Sequence, residues 1–161
     1  MQTFATRMSA TARWVGLTTI LVCLGVILFL SARVNDVAAM PIGGLLLVVL
    51  ALAYALSPLR YEVQGHALIV RRQVGRTTFD LRGATVVQDD EAFRGLVRLF
   101  GNGGFFAFHG WYWSRRLGSV RVYARNRERG VVVRLANGKP VLLGPDEPDR
   151  LVAALRAAAA A

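Results

Sequence analysis

The fold turns on the stretch SVRVYARNRERGVVVRLANGKPVLL, residues 119–143. In its first third Val120, Val122 and Ala124 alternate with Arg121, Tyr123 and Arg125. That period of two places apolar and polar side chains on opposite faces, the signature of a half-buried strand. Residues 130–136 repeat the pattern through Val131, Val133 and Leu135. Asn137-Gly138 is a two-residue turn signal, and residues 140–143 form the returning strand. Toward the N-terminus, residues 60–64, 67–73, 75–81 and 84–88 read as further strands, the first two joined through Gln64-Gly65-His66. Toward the C-terminus, Asp146 is placed to cap a helix, with Pro148 in its first turn and Glu147 and Asp149 at its positive end. Leu151, Val152 and Leu155 then make one apolar stripe. The expectation is mainly β: about seven short antiparallel strands, a bent sandwich or partly open barrel, with the C-terminal helix over an open end.

Residues 14–59 follow another rule. They contain two formal charges, Arg33 and Asp36, which divide an uncharged stretch at 14–32 from one at 37–59. Nineteen residues span roughly 28 Å as a helix, close to the hydrocarbon thickness of a bilayer. Leu, Ile, Val and Phe make up more than half of the first stretch and nearly half of the second. These side chains favour insertion by roughly 3 to 7 kcal/mol per segment before Gly, Ser and Thr subtract. A buried helical pair in a soluble protein would keep a polar face, and neither stretch has one. A cleaved signal has a shorter apolar run and a small-residue cleavage site. The sequence therefore predicts a membrane-anchored chain. Residues 1–13 are expected as a cytoplasmic tail and 14–59 as a transmembrane hairpin with helices 14–32 and 37–58, Pro41 in the first turn of the second and Pro58 at its end. Residues 60–161 are expected as a cytosolic domain. Arginines at 7, 13, 60, 71, 72 and 76 flank the hairpin on one side while its loop nets zero. The positive-inside bias then sets both termini in the cytoplasm, across the inner membrane.

The whole chain of 161 residues carries +10. Residues 60–161 hold 17 basic and 9 acidic side chains, a net +8. Nineteen of the 20 basic residues are arginine, a coding bias rather than a sign of phosphate recognition. A basic domain tethered beside an anionic leaflet is still drawn to it. No nucleic-acid recognition helix or RNA-binding aromatic motif is present, so no nucleic-acid partner is expected.

The order of elements resembles the bacterial pleckstrin-homology-like (PH-like) domain family over roughly residues 57–158. The resemblance rests on SPLRYEV at 57–63, RRQVGR at 71–76, LFGNGGF at 99–105, GWYW at 110–113, RVYARN at 121–126 and PDEP at 145–148. It implies a seven-stranded PH-type barrel with a C-terminal helix, often behind one or two membrane helices. It implies no reaction, no catalytic residues and no phosphoinositide site.

Residues 89–118 form a long insert between the fourth and fifth expected strands. It holds six aromatics between 105 and 113, followed by Arg115 and Arg116. Phe105, Phe106, Phe108, Trp111, Tyr112, Trp113, Arg115 and Arg116 are the candidate contact residues. Three readings stay open: the aromatics fill the barrel mouth, dip into the membrane interface, or form a docking surface for a protein. Gly101-x-Gly103-Gly104 is no phosphate loop, because no Walker lysine and no strand–loop–helix context accompanies it. His66 is expected as a solvated turn residue and His109 as a packed or hydrogen-bonded one. Asp89, Asp90 and Glu91 read as a solvated loop. With one cysteine, two distant histidines and no nucleophile motif, the sequence predicts no enzyme, metal or cofactor. The function expected is a membrane-anchored binding or scaffold module, contacting the bilayer, anionic lipid headgroups or a protein of unknown identity. The alternative is an accessory subunit of a transporter or envelope-stress complex, whose hairpin makes the specific contact.

Overall fold

The computed structural model describes residues 2–33, 36–103 and 106–160. A short strand, β1 (Gln2–Ala5), opens the chain. Two helices follow, α1 (Ala10–Arg33) and α2 (Asp36–Ala55). The rest is β2 (Pro58–Gln64), β3 (Ala67–Arg72), β4 (Arg76–Asp80), β5 (Thr85–Gln88), β6 (Val97–Gly103), β7 (Phe108–Ser114), β8 (Gly118–Ala124), β9 (Val131–Arg134), β10 (Pro140–Gly144) and α3 (Pro148–Ala160). One sheet has the order β1-β2-β3-β4, the other β5-β9-β10-β8-β7-β6.

The seven strands expected from alternation are β2–β5 and β8–β10, and three more join them among the described residues. They are not all antiparallel. β9 and β10 form the hairpin that Asn137-Gly138 announces, but β10 inserts beside β8 and runs parallel to it. Such a pairing needs a crossover between the two strands, and the intervening β9 supplies it.

The main core lies between the sheets. Tyr61, Leu68 and Val70 of the first sheet meet Val133, Val141 and Leu143 of the second, and Leu151 and Leu155 of α3 close the end. The other face of the second sheet is covered too. Ala92 and Phe93 fold back over Phe108, Tyr112, Val122 and Leu142.

The segment before α1, expected as a tail, is instead part of the domain. Phe4 of β1 pairs with Tyr61 and is buried in the core. The Thr6 hydroxyl donates to the Gly144 carbonyl at 2.7 Å, and the Arg7 amide to the Asp146 carboxylate at 2.9 Å. Asp146 therefore holds the N-terminal segment instead of capping α3, which starts two residues later. Ser9 is the cap of α1, accepting from the Ala12 amide at 3.2 Å. His66 is likewise no free turn residue: its Nδ1 lies 3.0 Å from the Ala158 carbonyl, tying the β2–β3 turn to α3.

Both helix junctions meet at the end of β8. The Ser9 amide donates to the Arg125 carbonyl at 3.2 Å where α1 begins. The Arg125 guanidinium donates to Ser57 Oγ at 3.0 Å where α2 has just ended. The Val74 amide at the β3–β4 turn caps α2 by donating to the Ala55 carbonyl at 2.9 Å. This stop falls before Pro58, which is the first residue of β2 and not the helix terminator, and Pro41 lies inside α2 rather than in its first turn. Ala12–Phe29 of α1 is long and apolar enough to cross a membrane, whereas the apolar run that α2 shows among the described residues, Pro41–Ala55, is shorter. The two helices touch, with Ile27 side-chain atoms 3.6 Å from where a Cβ on Gly43 would lie.

Candidate functional site

The insert at 89–118 is chiefly a β-hairpin, β6–β7, at the edge of the second sheet. Its glycines serve strand approach. Gly101 and Gly110 face each other with φ of +119° and +130°. A Cβ on Gly101 would collide with the His109 carbonyl oxygen, and one on Gly110 with that of Phe100. Only glycine lacks the atom that would collide there.

The period-two alternation of β7 sorts the aromatic residues. Phe108 and Tyr112 point into the second core, and the Tyr112 hydroxyl donates to the Asn102 carbonyl at 2.6 Å. Burial pushes the Tyr112 hydroxyl above its ordinary pKa, with Arg98 and Arg127 opposing. Arg127 stacks over Phe108 at 4.7 Å and donates to the Phe93 carbonyl at 2.9 Å, sealing that core from outside. His109 and Trp111 point the other way, and Arg121 lies over the Trp111 ring at 4.4 Å. Trp113 is exposed.

The other candidates separate further. Phe106 adopts φ +58° and turns its ring edge-on to Tyr54 of α2 at 5.4 Å, against Gly16 of α1. It is a key between the two helices and the domain. Arg116, in the turn between β7 and β8, pairs with Asp89 at 2.9 Å and approaches Glu91 at 3.7 Å, and Arg94 pairs with Glu91 at 2.7 Å. Arg115 is exposed, and Phe105 lies outside the described residues.

The structure adds residues that the sequence did not single out as contacts. β6 is open to solvent along most of its length, with Val97, Leu99 and Phe100 all exposed and Phe100 the most so at 78 %. A patch of this kind on an edge strand invites a partner surface. Beside it runs a groove of about 490 Å³ between the end of α2 and the β6–β7 hairpin. Leu52 and Leu56 form one wall, Phe100 and Trp111 the other, and Arg72, Arg98 and His109 the polar part. Arg72 Nε and His109 Nδ1 are buried there without a hydrogen-bond partner among the described residues. Burial, aided by the charge of Arg72, holds His109 below its ordinary pKa and therefore neutral at pH 7. The signal was present in Val97-Arg98-Leu99-Phe100, a short apolar run broken by one arginine and followed by the glycines.

Among the described residues no three His, Cys, Asp or Glu side chains gather as metal ligands. Two packed sheets with a C-terminal helix thus carry an apolar edge flanked by arginines. The chain belongs to the bacterial PH domain family, whose model matches residues 59–159. PH domains are in general non-catalytic binding modules. No curated protein and no solved structure matches the chain. The family match leaves out β1, α1 and α2, although β1 completes the first sheet.

Proposed function

We propose that this chain is a membrane-anchored PH module. α1 and α2 cross the cytoplasmic membrane as a hairpin, and the basic domain with both termini is held at the inner face for contact with lipid or protein. The observation that carries it is the exposure of α1. Only 11 % of its apolar window is buried by the rest of the chain. Trp14, Val15, Leu17, Leu24, Val26 and Leu28 are all exposed, over more than half of the helix circumference, and a helix with no polar face needs an apolar surrounding. The run Pro41–Ala55 of α2 is shorter, but the four residues before it in the helix, Val-Ala-Ala-Met, are apolar as well, and 37–55 together reach about 28 Å beside α1.

A removable signal sequence accounts poorly for the same helix, because cleavage would strip away β1, whose Phe4 is part of the core. Arg7 and Arg13 before α1, with Arg60, Arg71 and Arg72 after α2, support the cytoplasmic side by the positive-inside bias. The exposed Trp113, Leu99 and Phe100 form the contact face in this reading, and Arg115 adds charge. Flotation of the full chain with lipid vesicles, then protease treatment of intact cells and of inverted membrane vesicles, tests it. The domain is expected to float, to survive in intact cells and to be digested in inverted vesicles. A chain that stays in solution without detergent, or is cut from outside, overturns the proposal.

A further inference from the structure

We propose that the groove between α2 and the β6–β7 hairpin binds one anionic phospholipid, its phosphate between Arg72 and Arg98 and its acyl chain along α2. The inference rests on the membrane-anchored reading above and names a ligand for it. Three observations carry it. First, the charge of the groove is one-sided: among the described residues Arg72 and Arg98 line it and no acidic residue does. Second, one of the two arginines is held in place beforehand. Arg72 is fixed by a hydrogen bond from Nη2 to Thr77 Oγ1 and lies 5.7 Å from the Tyr123 ring centre, so it meets an anion with little ordering left to do. A phosphate oxygen accepts from an arginine with charge assistance.

Third, the opposite wall is apolar and continuous with the spanning helix. Val49 and Leu52 lie on the last two turns of α2 and Leu56 just beyond them, facing Phe100 and Trp111. In the anchored orientation these turns sit at the headgroup layer, where tryptophan concentrates. A soluble phosphate would leave that wall unused, whereas a lipid covers both halves. The volume of about 490 Å³ suits a headgroup with the start of its chains.

Native mass spectrometry of the full chain in mild detergent tests this, with added phosphatidylglycerol, phosphatidylcholine or inorganic phosphate. The expected result is a single retained phosphatidylglycerol, favoured at least tenfold over phosphatidylcholine. Arg98→Gln, on the exposed edge strand, is expected to reduce retention several-fold, and Arg72→Gln with Arg98→Gln to abolish it. Arg129→Gln with Arg134→Gln removes the same charge elsewhere and is expected to change nothing. Equal retention of the two lipids, unchanged retention in Arg98→Gln, or equal loss in the control pair overturns the lipid site. Competition by millimolar inorganic phosphate as effective as that by the lipid reassigns the groove to a free anion and overturns it too. Flotation of the same preparation separates the two claims. A chain that floats but retains no lipid defeats this inference alone, and one that does not float defeats the anchoring.

Discussion

Tyr61→Phe removes one oxygen from the centre of the domain. That hydroxyl is fully buried, donates to the Tyr123 carbonyl at 2.6 Å and accepts from the Gly144 amide at 3.1 Å. Phenylalanine keeps the ring packing and leaves two buried backbone groups short of a partner. At about 1–3 kcal/mol for each such group, offset by the second bond that a carbonyl can accept, the loss near pH 7 comes to about 2 kcal/mol. Burial pushes the Tyr61 hydroxyl up to about 12, against the lowering effect of its hydrogen bonds with Gly144 and Thr6. In the unfolded chain it titrates near 10. A group whose folded pKa is raised contributes its stability in full below the unfolded value and loses it as pH climbs. The wild type therefore sheds about 2 kcal/mol between pH 10 and 12, the slope approaching about 1.4 kcal/mol per unit between the two pKa values, and the variant does not. Urea unfolding of the full chain in detergent, followed by circular dichroism of the β-domain at pH 7, 9, 10, 11 and 12, measures the difference. The stability gap between wild type and variant should hold to pH 9 and close by pH 12. A gap that stays constant across that range would refute the assignment of Tyr61 as a neutral buried donor.

Glu62 provides the acidic counterpart. Its carboxylate is buried between Arg60 at 2.9 Å and Arg71 at 3.0 Å. Burial tends to raise its pKa, but the hydrogen bonds from Arg71 and Arg60 outweigh it and hold the carboxyl below the usual range. Its contribution is present above the unfolded value near 4.3 and drains away as pH falls through the folded one. Glu62→Gln should cost about 2 kcal/mol at pH 7 and flatten the acid unfolding curve. Gly110→Ala drives a Cβ into the Phe100 carbonyl oxygen. Amides of residues 97–103 should lose exchange protection in that variant while β2 and β3 keep theirs, and unchanged exchange in the hairpin would count against the strand-approach role. Asp146→Ala should release residues 2–9, seen as faster exchange there with α3 still protected. Trp113→Ala with Leu99→Ser should weaken quenching of tryptophan fluorescence by brominated lipid without changing flotation, since the helices remain.

Much of the fold is legible in the residues taken one stretch at a time. The alternation of 119–143, the Asn137-Gly138 turn and the stripe Leu151, Val152 and Leu155 each state a local preference that the fold keeps. The uncharged runs state the two helices in the same way. Short strands say less. Gln2–Ala5 pairs only because β2, far along the chain, offers it an edge. β6 ends in Gly-Asn-Gly, whose local preference is for a turn, and the facing glycine at 110 is what makes it a strand. The aromatic cluster reads as one feature in sequence, yet the pleat of β7 sends Phe108 and Tyr112 into a core and Trp111 into the groove.

Periodicity and composition act over a few residues, and they suffice to divide the chain into an apolar helical pair, a basic β-domain and a final amphipathic helix. How those parts meet is a different matter. Arg125 between Ser9 and Ser57, Phe106 between Gly16 and Tyr54, and the groove shared by Leu52, Arg72 and His109 join residues far apart in the chain. Local preference carries no information about such contacts. They are fixed when the sheets pack and bring distant side chains within a few ångströms of each other.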